Sequence, residues 1–418
     1  MGMDAGNAAW MLMSASLVLL MTPGLAFFYG GMVRGKSVLN MMMMSFAAMG
    51  VVAIIWVLWG YSMVAGEDKG GILGWTGDYL GLTGILNGED PTTDLITVGF
   101  QVTFAIITVA LISGSIADRV KFGAWVLFVA VWVTIVYFPL AHQVWFGGLL
   151  YGDDWFLGGS LPAPIDFAGG TVVHINAGVA GLVLALVIGK RKGFGKEPMR
   201  PHNLPFVMLG AALLWFGWFG FNAGSAFAAD GTAALAWINT TVAAGAALVG
   251  WIVTEKIRDG HATSLGAASG IVAGLVAITP AAAALDPFNS IILGLVAGAL
   301  CALAVGLKYK LGYDDSLDVV GVHLVGGLVG TVAIGFLGKD GVGLFHGGGF
   351  DQLWTQIIAA LYAIVFSGVI TAVIALAIKK TMGWRVTEDA EVGGIDLAVH
   401  GETAYETLGG ARVVTEVK

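Results

Sequence analysis

Apolar residues occur along this chain in long uninterrupted runs that charged residues separate. Between consecutive Asp, Glu, Lys and Arg residues lie eleven charge-free stretches of 20 or more residues, and the longest remaining stretch has 11. A helix needs about 20 apolar residues to span a bilayer. The pattern therefore predicts eleven transmembrane helices, within residues 5–33, 37–66, 95–117, 122–152, 167–189, 203–229, 231–254, 262–285, 287–307, 319–338 and 352–378.

Composition supports an all-α integral membrane protein. Of the 418 residues, 57% are hydrophobic and 11% are charged, more apolar surface than a soluble globule can keep from water. The sequence lacks the strand periodicity of a transmembrane barrel, and its 64 glycines favour close helix packing. We predict a membrane domain over residues 1–378 and a polar tail over residues 379–418, which is too short for a catalytic domain.

The basic residues predict the orientation in the bilayer. If the connections alternate sides, one side holds 18 of the 20 Lys and Arg residues, and the other holds Lys69 and Lys339. Because basic loops stay in the cytoplasm, the N-terminus is expected outside and the C-terminus inside. Acidic residues contribute little to topology, so the net charge of -8 does not indicate a nucleic-acid partner.

Two histidines, His174 and His323, lie well inside apolar stretches. Superposing one on the other also aligns three further pairs, Val173 with Val322, Gly178 with Gly327 and Gly181 with Gly330. Five spans per half is an odd number, so the halves are predicted to be inverted five-helix repeats, followed by a last helix. Equivalent helices of such repeats meet near the bilayer midplane, and the two histidines are expected to face each other there.

Alternatives to a pair of facing histidines are a metal centre or two buried histidines that bond to backbone carbonyls. Catalytic zinc generally has three protein ligands, and no third His, Cys or carboxylate lies at matching depth in the sequence. We therefore expect no metal and no other cofactor. Nucleophile constellations are missing as well, which disfavours an enzyme.

Two carboxylates precede the histidines along the chain. Asp166 lies eight residues before His174, and Asp318 lies five residues before His323. Each is predicted to cap the start of its helix, because a carboxylate accepts hydrogen bonds from the free amides there. For Asp166, a second role near the outer mouth is also expected.

Aromatic residues cluster at the predicted outer ends of three spans, in residues 100–104, 142–145 and 215–225. Such residues commonly form a belt that faces lipid. Facing inward, the same rings together with the hydroxyl of Ser225 would form a cage for a cation. His142, at the outer end of the fourth span, is expected to be a histidine whose hydrogen bonds are satisfied at the interface.

At these positions the sequence resembles the ammonium transporter family, the Amt, Mep and Rh group. The resemblance rests on DFAGGTVVHINAG at 166–178, KRKGFGKE at 190–197, PHNLP at 201–205, GWFGFNAGS at 217–225 and DVVGVH at 318–323. It extends over essentially the whole chain, including Arg385, Asp396 and His400 in the tail.

The resemblance implies roles for individual residues. Trp145 and Ser225 correspond to an outer recruitment site with Phe104 as its floor, and Phe104 with Phe221 to a phenyl gate. His174 and His323 correspond to the pore histidines, and Asp166 to the acid that supports the outer site. The family also implies a homotrimer with one path per subunit, and a tail related to regulation by a PII-type signal protein.

The tail is predicted to contact the inner loops. Basic residues in 190–200 are expected to pair with the acidic tail residues Glu388, Asp389 and Glu391. Because single surface ion pairs contribute only about 0–1 kcal/mol, docking is also expected to use the apolar side chains of Ile395, Leu397 and Val399.

The predicted function is ammonium uptake across the cell membrane. A bare cation in a low-dielectric pore costs on the order of tens of kcal/mol, so the pore selects neutral ammonia, with or without a separately relayed proton. Potassium has no proton to lose, and the sequence contains no TVGYG filter to dehydrate it. The alternatives are an ammonium sensor that signals through its tail and a neutral-gas channel for ammonia or carbon dioxide, in which Trp145 and Ser225 would be superfluous.

Overall fold

A computed structural model describes residues 2–405, and within them eleven helices are long and apolar enough to cross a membrane. The predicted number of spans is confirmed. Numbered span 1 to span 11, they are Ala5–Met32, Val38–Ala65, Pro91–Ile116, Phe122–Trp145, Gly170–Ile188, Leu204–Gly224, Gly231–Asp259, Ser264–Ala281, Pro287–Leu311, Val320–Leu337 and Asp351–Thr381. Residues 406–418 of the predicted tail lie outside the described residues.

Short elements connect the spans. Strands Asp68–Lys69 and Leu73–Gly74 form an antiparallel hairpin between spans 2 and 3. The hairpin precedes the short helices Gly77–Leu82 and Thr83–Leu86. Further short helices are Leu344–His346 between spans 10 and 11, and Glu388–Gly393 and Asp396–His400 in the tail.

Polar side chains define where most spans begin. The first free amides of six spans bond to side chains of the preceding residue, which satisfies backbone donors that the helix leaves unpaired. These capping residues are Asp4, Asp90, Asn203, Asp230, Thr263 and Asp286. Such caps fix the ends of helices that are apolar on every side.

Glycines bring equivalent helices of the two halves into backbone contact. Span 1 packs on span 6, where a side chain at Gly210 would collide with the backbone of Phe28. Span 5 packs on span 10 in a reciprocal way: Gly178 lies against Leu324, and Gly327 lies against Ile175. Both pairs join helices at the same position of the two predicted repeats, so the repeat alignment holds in the packing.

Spans 5 and 10 run in opposite directions. The segment before span 5 contacts the end of span 4, through a hydrogen bond of 2.9 Å from Trp145 Nε1 to Asp166 O. The segment before span 10 lies instead beyond the other end of span 5, where Arg191 pairs with Asp314 at 2.8 Å. This antiparallel arrangement is the one that inverted repeats require. We name the two sides of the molecule the vestibule end, near Trp145, and the tail end, near Arg191.

The tail packs on the loops at the tail end. Glu391 is 1% exposed and accepts a hydrogen bond of 2.7 Å from the Lys192 amide, while its other oxygen contacts Arg385. Asp396 caps the start of span 2 by accepting from the amides of Leu39 and Asn40 at 3.0 and 2.8 Å. The expected contact between the tail and the basic loop therefore forms.

The apolar part of this docking is smaller than the sequence predicts. Ile395 is fully buried, as expected. Leu397 and Val399 are 52% and 39% exposed, so the expectation that they dock is wrong within a single subunit. The polar contacts of Glu391 and Asp396 provide the attachment that these two side chains do not.

Candidate functional site

An open cavity of about 400 Å³ lies at the vestibule end, and we call it the vestibule. Span 3 supplies three lining residues, span 4 supplies Trp145 at its last position, and Ser225 directly follows span 6. The lining residues are Thr97, Gln101, Phe104, Trp145, Phe146, Phe167, Ser225 and Phe227. The structure thus brings Trp145, Ser225 and Phe104 together, as the sequence predicts.

The vestibule has the chemical features of a cation site. The rings of Phe104 and Trp145 meet edge to face, with centroids 6.0 Å apart and an interplanar angle of 89°. The Ser225 hydroxyl donates to Phe221 O at 2.8 Å, so its oxygen lone pairs remain able to accept from a ligand. Aromatic faces and a hydroxyl oxygen together attract a small cation that carries N–H donors.

Asp166 makes hydrogen bonds both to Trp145 in the wall of the vestibule and to the amides at the start of span 5. Its carboxylate accepts hydrogen bonds from the amides of four successive residues, 169 to 172, at 2.6 to 3.1 Å. Its backbone carbonyl accepts from the Trp145 indole at 2.9 Å. The predicted capping role is present, and the carbonyl contact gives Asp166 the expected second place at the mouth. It does not line the cavity itself.

Below the vestibule, two phenyl rings close the path. Phe104 and Phe221 are stacked, with centroids 4.2 Å apart and planes inclined by 15°. They are 2% and 0% exposed. Because the rings touch face to face, a molecule leaving the vestibule in this direction must displace at least one of them.

The two histidines lie directly beyond the phenyl pair. The ring centroid of His174 is 6.2 Å from that of Phe221, and its Nδ1 is 3.2 Å from Nδ1 of His323. Both residues begin their spans within π-helical turns, Gly170–Ile175 and Val320–Leu324. Such wide turns are frequent at functional sites. The predicted facing pair is therefore present.

The histidines line a narrow apolar cavity. Its volume of about 10 Å³ is close to the smallest that accommodates one water-sized molecule. Its other lining residues are Met21, Leu25, Phe28, Ile107, Leu111, Val173, Leu214, Trp218, Phe221 and Val272. A small neutral molecule fits this environment, whereas a bare ion would lose its hydration without replacement.

Comparison with known proteins supports one family for this architecture. Residues 9–405 match the model of the Ammonium Transporter Family. The chain belongs to the ammonium transporter family. It is a multi-pass membrane protein, and membership of this family supports transport of ammonium as its activity.

Relatives and solved structures agree with this assignment. The transporter is 56% identical to the ammonium transporter of Mycobacterium tuberculosis, over 96% of this chain and 91% of the relative. It is 47% identical to that of Bacillus subtilis, over 97% and 99%. The structure of Saccharomyces cerevisiae Mep2 is 31% identical with a TM-score of 0.82, over 92% of this chain and 91% of that one. A structure titled Sensor Amt Protein is 28% identical with a TM-score of 0.86, over 94% and 98%.

A second prediction from the sequence, the cap of span 10, is also wrong. Asp318 does not cap span 10: its carboxylate pairs with Lys308 at 2.6 Å, and its own backbone is left-handed, with φ of 66°. The cap is Asp315, which accepts from the amides of Val319 and Val320 at 3.1 and 2.7 Å. Burial raises the pKa of Asp315 to about 6. Asp315 precedes His323 by eight residues, as Asp166 precedes His174, and this equal spacing was the available signal.

The aromatic clusters divide between the pathway and the outer surface. Phe216 is 56% exposed, and Phe219 stacks on Trp237 with centroids 4.5 Å apart, so neither lines the vestibule. Trp218 stacks on His174 at 5.5 Å and donates its indole N–H to Thr279 Oγ1 at 2.8 Å. Sequence reasoning gave Trp218 no role, although its position one turn before Phe221 places both on one helix face.

No group of three or more His, Cys, Asp or Glu side chains with a metal-binding arrangement occurs among residues 2–405. The sole cysteine of the sequence, Cys301, is buried.

Proposed function

We propose that this transporter takes up ammonium by binding the cation in the vestibule, deprotonating it and conducting ammonia past the two histidines. The observation that carries the proposal is the continuous order of a cation-attracting mouth, a closed phenyl pair and a narrow apolar cavity with facing imidazoles. The charge split predicted from the sequence places the vestibule outside and the tail in the cytoplasm.

Recruitment is the first step. A cation over the face of Trp145 gains about 0.5–2 kcal/mol relative to bulk water, and Ser225 Oγ supplies an acceptor for one N–H. Phe104 forms the floor on which the cation stops, since its ring is stacked on Phe221. The vestibule concentrates ammonium without dehydrating it completely.

Deprotonation makes passage possible and provides the selectivity; the proton passes either to water in the vestibule or to a relay through the histidine pair. Ammonia is neutral and similar in size to water, so it avoids the cost of tens of kcal/mol that an ion would incur in the apolar cavity. Potassium is held by the same aromatic faces but cannot lose a proton. The Phe104–Phe221 pair opens by rotation of side chains, which occurs on the nanosecond scale or slower while the helices stay fixed.

The histidine pair supports conduction by offering both kinds of hydrogen bond. Since Nδ1 faces Nδ1, one ring must donate and the other must accept. The donor ring then has a bare Nε2, and the acceptor ring carries its proton on Nε2. Ammonia therefore finds an acceptor on one ring and a donor on the other, and a change of both tautomers would relay a proton.

Replacing the recruitment residues tests the proposal. We expect Trp145→Leu and Ser225→Ala each to raise the KM for ammonium by about 2- to 30-fold, which corresponds to 0.5–2 kcal/mol, with a smaller effect on the maximal rate. The measurement is ammonium-dependent current and internal alkalinisation in proteoliposomes. Current that accompanies uptake indicates a relayed proton, and alkalinisation without current indicates net ammonia transfer.

A control on the same face of the molecule makes this test specific. Trp237→Leu removes an indole that stacks on Phe219 outside the vestibule, and it should leave the KM unchanged. A neutral-gas channel predicts that Trp145→Leu changes nothing. If the protein binds ammonium in the vestibule but yields neither current nor alkalinisation, the sensor alternative is favoured. The similarity to the structure titled Sensor Amt Protein is the reason to test this alternative.

The docked tail and a PII-type partner belong to the same proposal, together with a homotrimer. Glu391→Gln leaves Arg385 and the Lys192 amide without a carboxylate partner, and it is expected to weaken docking of the tail by about 1–3 kcal/mol. Asp389→Asn is the matched control, since Asp389 is exposed on the same short helix. Hydrogen exchange of residues 385–400 measures the docking, and native mass spectrometry measures the oligomer.

Regulation is tested by ending the chain after Lys380. We expect the truncated transporter to lose binding of a PII-type protein and the change in uptake that this protein causes. Unchanged uptake together with an unchanged response to the regulator would leave the tail without a regulatory role.

A further inference from the structure

The hairpin between spans 2 and 3 is hydrogen-bonded to the last turn of span 4 and to the loop that follows it. Gln143 Nε2 donates to Ile72 O at 2.9 Å, and the Leu149 amide donates to Gly71 O at 2.8 Å. Between these contacts lies His142, whose side chain is fully buried. Its Nδ1 is 2.7 Å from Val64 O, and its Nε2 is 3.0 Å from Asp68 Oδ1. The hairpin and the end of span 4 are therefore joined through one imidazole.

The hydrogen bonds of this junction depend on the ionisation of His142 and Asp68. The carbonyl of Val64 can only accept, so Nδ1 of His142 must carry a proton. A neutral ring then presents a bare Nε2 to Asp68, and two acceptors would face each other if the carboxylate were ionised. The contact needs one more proton, which bridges the imidazole and the carboxylate. The hydrogen bond from His142 also lowers the pKa of Asp68.

Solvent can remove this bridging proton. The Asp68 side chain is 42% exposed, which gives water access to the carboxylate side of the pair. The other charged groups of the hairpin, Glu67 and Lys69, pair with each other at 3.1 Å and are 80% and 49% exposed. Val64 of span 2 and Gly74 of the hairpin also lie against the ring, and neither carries a charged side chain.

The junction lies one helical turn from the recruitment residue. His142 and Trp145 are three residues apart in span 4, and residues at this spacing share a helix face. The carbonyl of His142 accepts from the amides of Phe146 and Gly148 at 3.0 and 3.2 Å, which ends the helix directly after Trp145. A shift of His142 would move this last turn and the indole with it.

We propose that His142 and Asp68 form a proton-dependent clasp that positions Trp145 for ammonium recruitment and loosens when the bridging proton is lost. The inference rests on the proposed recruitment role of Trp145. His142 and Asp68 are positioning residues, since neither lines the vestibule. Ammonium affinity should therefore fall as the pH at the vestibule end rises, beyond the effect of pH on ammonium itself.

The decisive variant is Asp68→Asn. Its amide N–H can donate to the bare Nε2 of a neutral His142, so the clasp closes without the additional proton. We expect the wild-type KM, expressed in ammonium ion, to rise about three- to tenfold from acidic to alkaline pH, and that of Asp68→Asn to stay constant. Asp68→Ala should have the raised KM at every pH. Glu67→Gln, an acid-to-amide change on the neighbouring residue, should behave as wild type.

A second readout does not depend on transport. Hydrogen exchange of residues 143–150 reports the Leu149–Gly71 bond, and it should accelerate in Asp68→Ala and in the wild type at alkaline pH, after correction for intrinsic rates. Equal pH dependence of the KM in wild type and Asp68→Asn would overturn the proposal, as would unchanged exchange in Asp68→Ala. If Trp145→Leu raises the KM and Asp68→Ala does not, only the clasp is refuted. If Trp145→Leu has no effect, the recruitment role itself is refuted.

Discussion

Replacing either His174 or His323 by alanine is expected to abolish selective ammonium uptake while the transporter still folds. Among residues 2–405, the two imidazoles are the only titratable side chains that line the narrow cavity. Without one of them, ammonia loses a hydrogen-bond partner and any relayed proton loses its carrier. Positioned acid–base groups are typically worth about 10²–10⁴ in rate, so we expect at least a ~100-fold loss of uptake. Alanine is tolerated within a helix, which preserves the spans.

Leu214→Ala is the matched control for the histidine variants. Leu214 lines the same cavity and is 2% exposed, so its truncation enlarges the cavity without removing a polar group. Uptake and potassium flux in proteoliposomes distinguish the two effects. If both histidine variants transported ammonium at the normal rate and with normal selectivity, the role of the pair would be refuted.

Asp166→Ala is expected to have the largest effect on stability. The substitution leaves the four amides that bond to the carboxylate without partners at the start of span 5, and a buried unsatisfied group costs about 1–3 kcal/mol. These costs are not additive, and a total of about 3–5 kcal/mol is expected. The Trp145 indole donates its hydrogen bond to the backbone carbonyl of the same residue. A shift of this backbone would displace Trp145, so ammonium recruitment in the vestibule should fail as well.

The second half of the molecule provides an internal comparison for this prediction. Asp315 caps span 10 through only two amides, so Asp315→Ala should destabilise the transporter less than Asp166→Ala. Thermal unfolding in detergent, followed by the yield of folded protein, measures both. An Asp166→Ala variant as stable as Asp315→Ala would show that the number of bonded amides does not determine the effect.

The architecture was predictable because the bilayer imposes a length on every span. A run of about 20 apolar residues has few alternatives to a transmembrane helix, and all eleven such runs became spans. The histidine pair was predictable for a related reason: the matched surroundings of His174 and His323 indicate a repeat, and a repeat brings equivalent residues together.

The capping acid of span 10 was predicted wrongly because Asp318, the acid nearest to His323 in the sequence, is not the one that bonds to the free amides. Asp318 corresponds in spacing to Gly169, and both residues are left-handed, with φ of 66° and 113°. The left-handed residue turns the chain into the helix, and the cap comes from the acid three positions earlier in each half. Asp315 is thus the residue of the second half that corresponds in spacing to Asp166.

Rotation of the helices about their axes was not predictable from composition. Span 6 is apolar all round, so its sequence does not show that Phe221 faces the pathway while Phe216 faces outward. Which aromatic residues enter the vestibule depends on contacts between helices, such as those of Gly217 with Met21. For the same reason, the sequence did not predict the stacking of Trp218 on His174 or the hydrogen bond between His142 and Asp68 of the hairpin.

The reciprocal crossing of spans 5 and 10 limits how this protein can adapt. A side chain at Gly178 would meet the backbone of Leu324, beside His323, and one at Gly327 would meet Cβ of His174 itself. The close approach of these two helices therefore determines the separation of the two imidazoles. A methyl group added at Gly178 would force the helices apart and would displace both rings at once. Changes that tune affinity or rate one residue at a time are therefore expected at the two mouths, where side chains can vary without moving the crossing point.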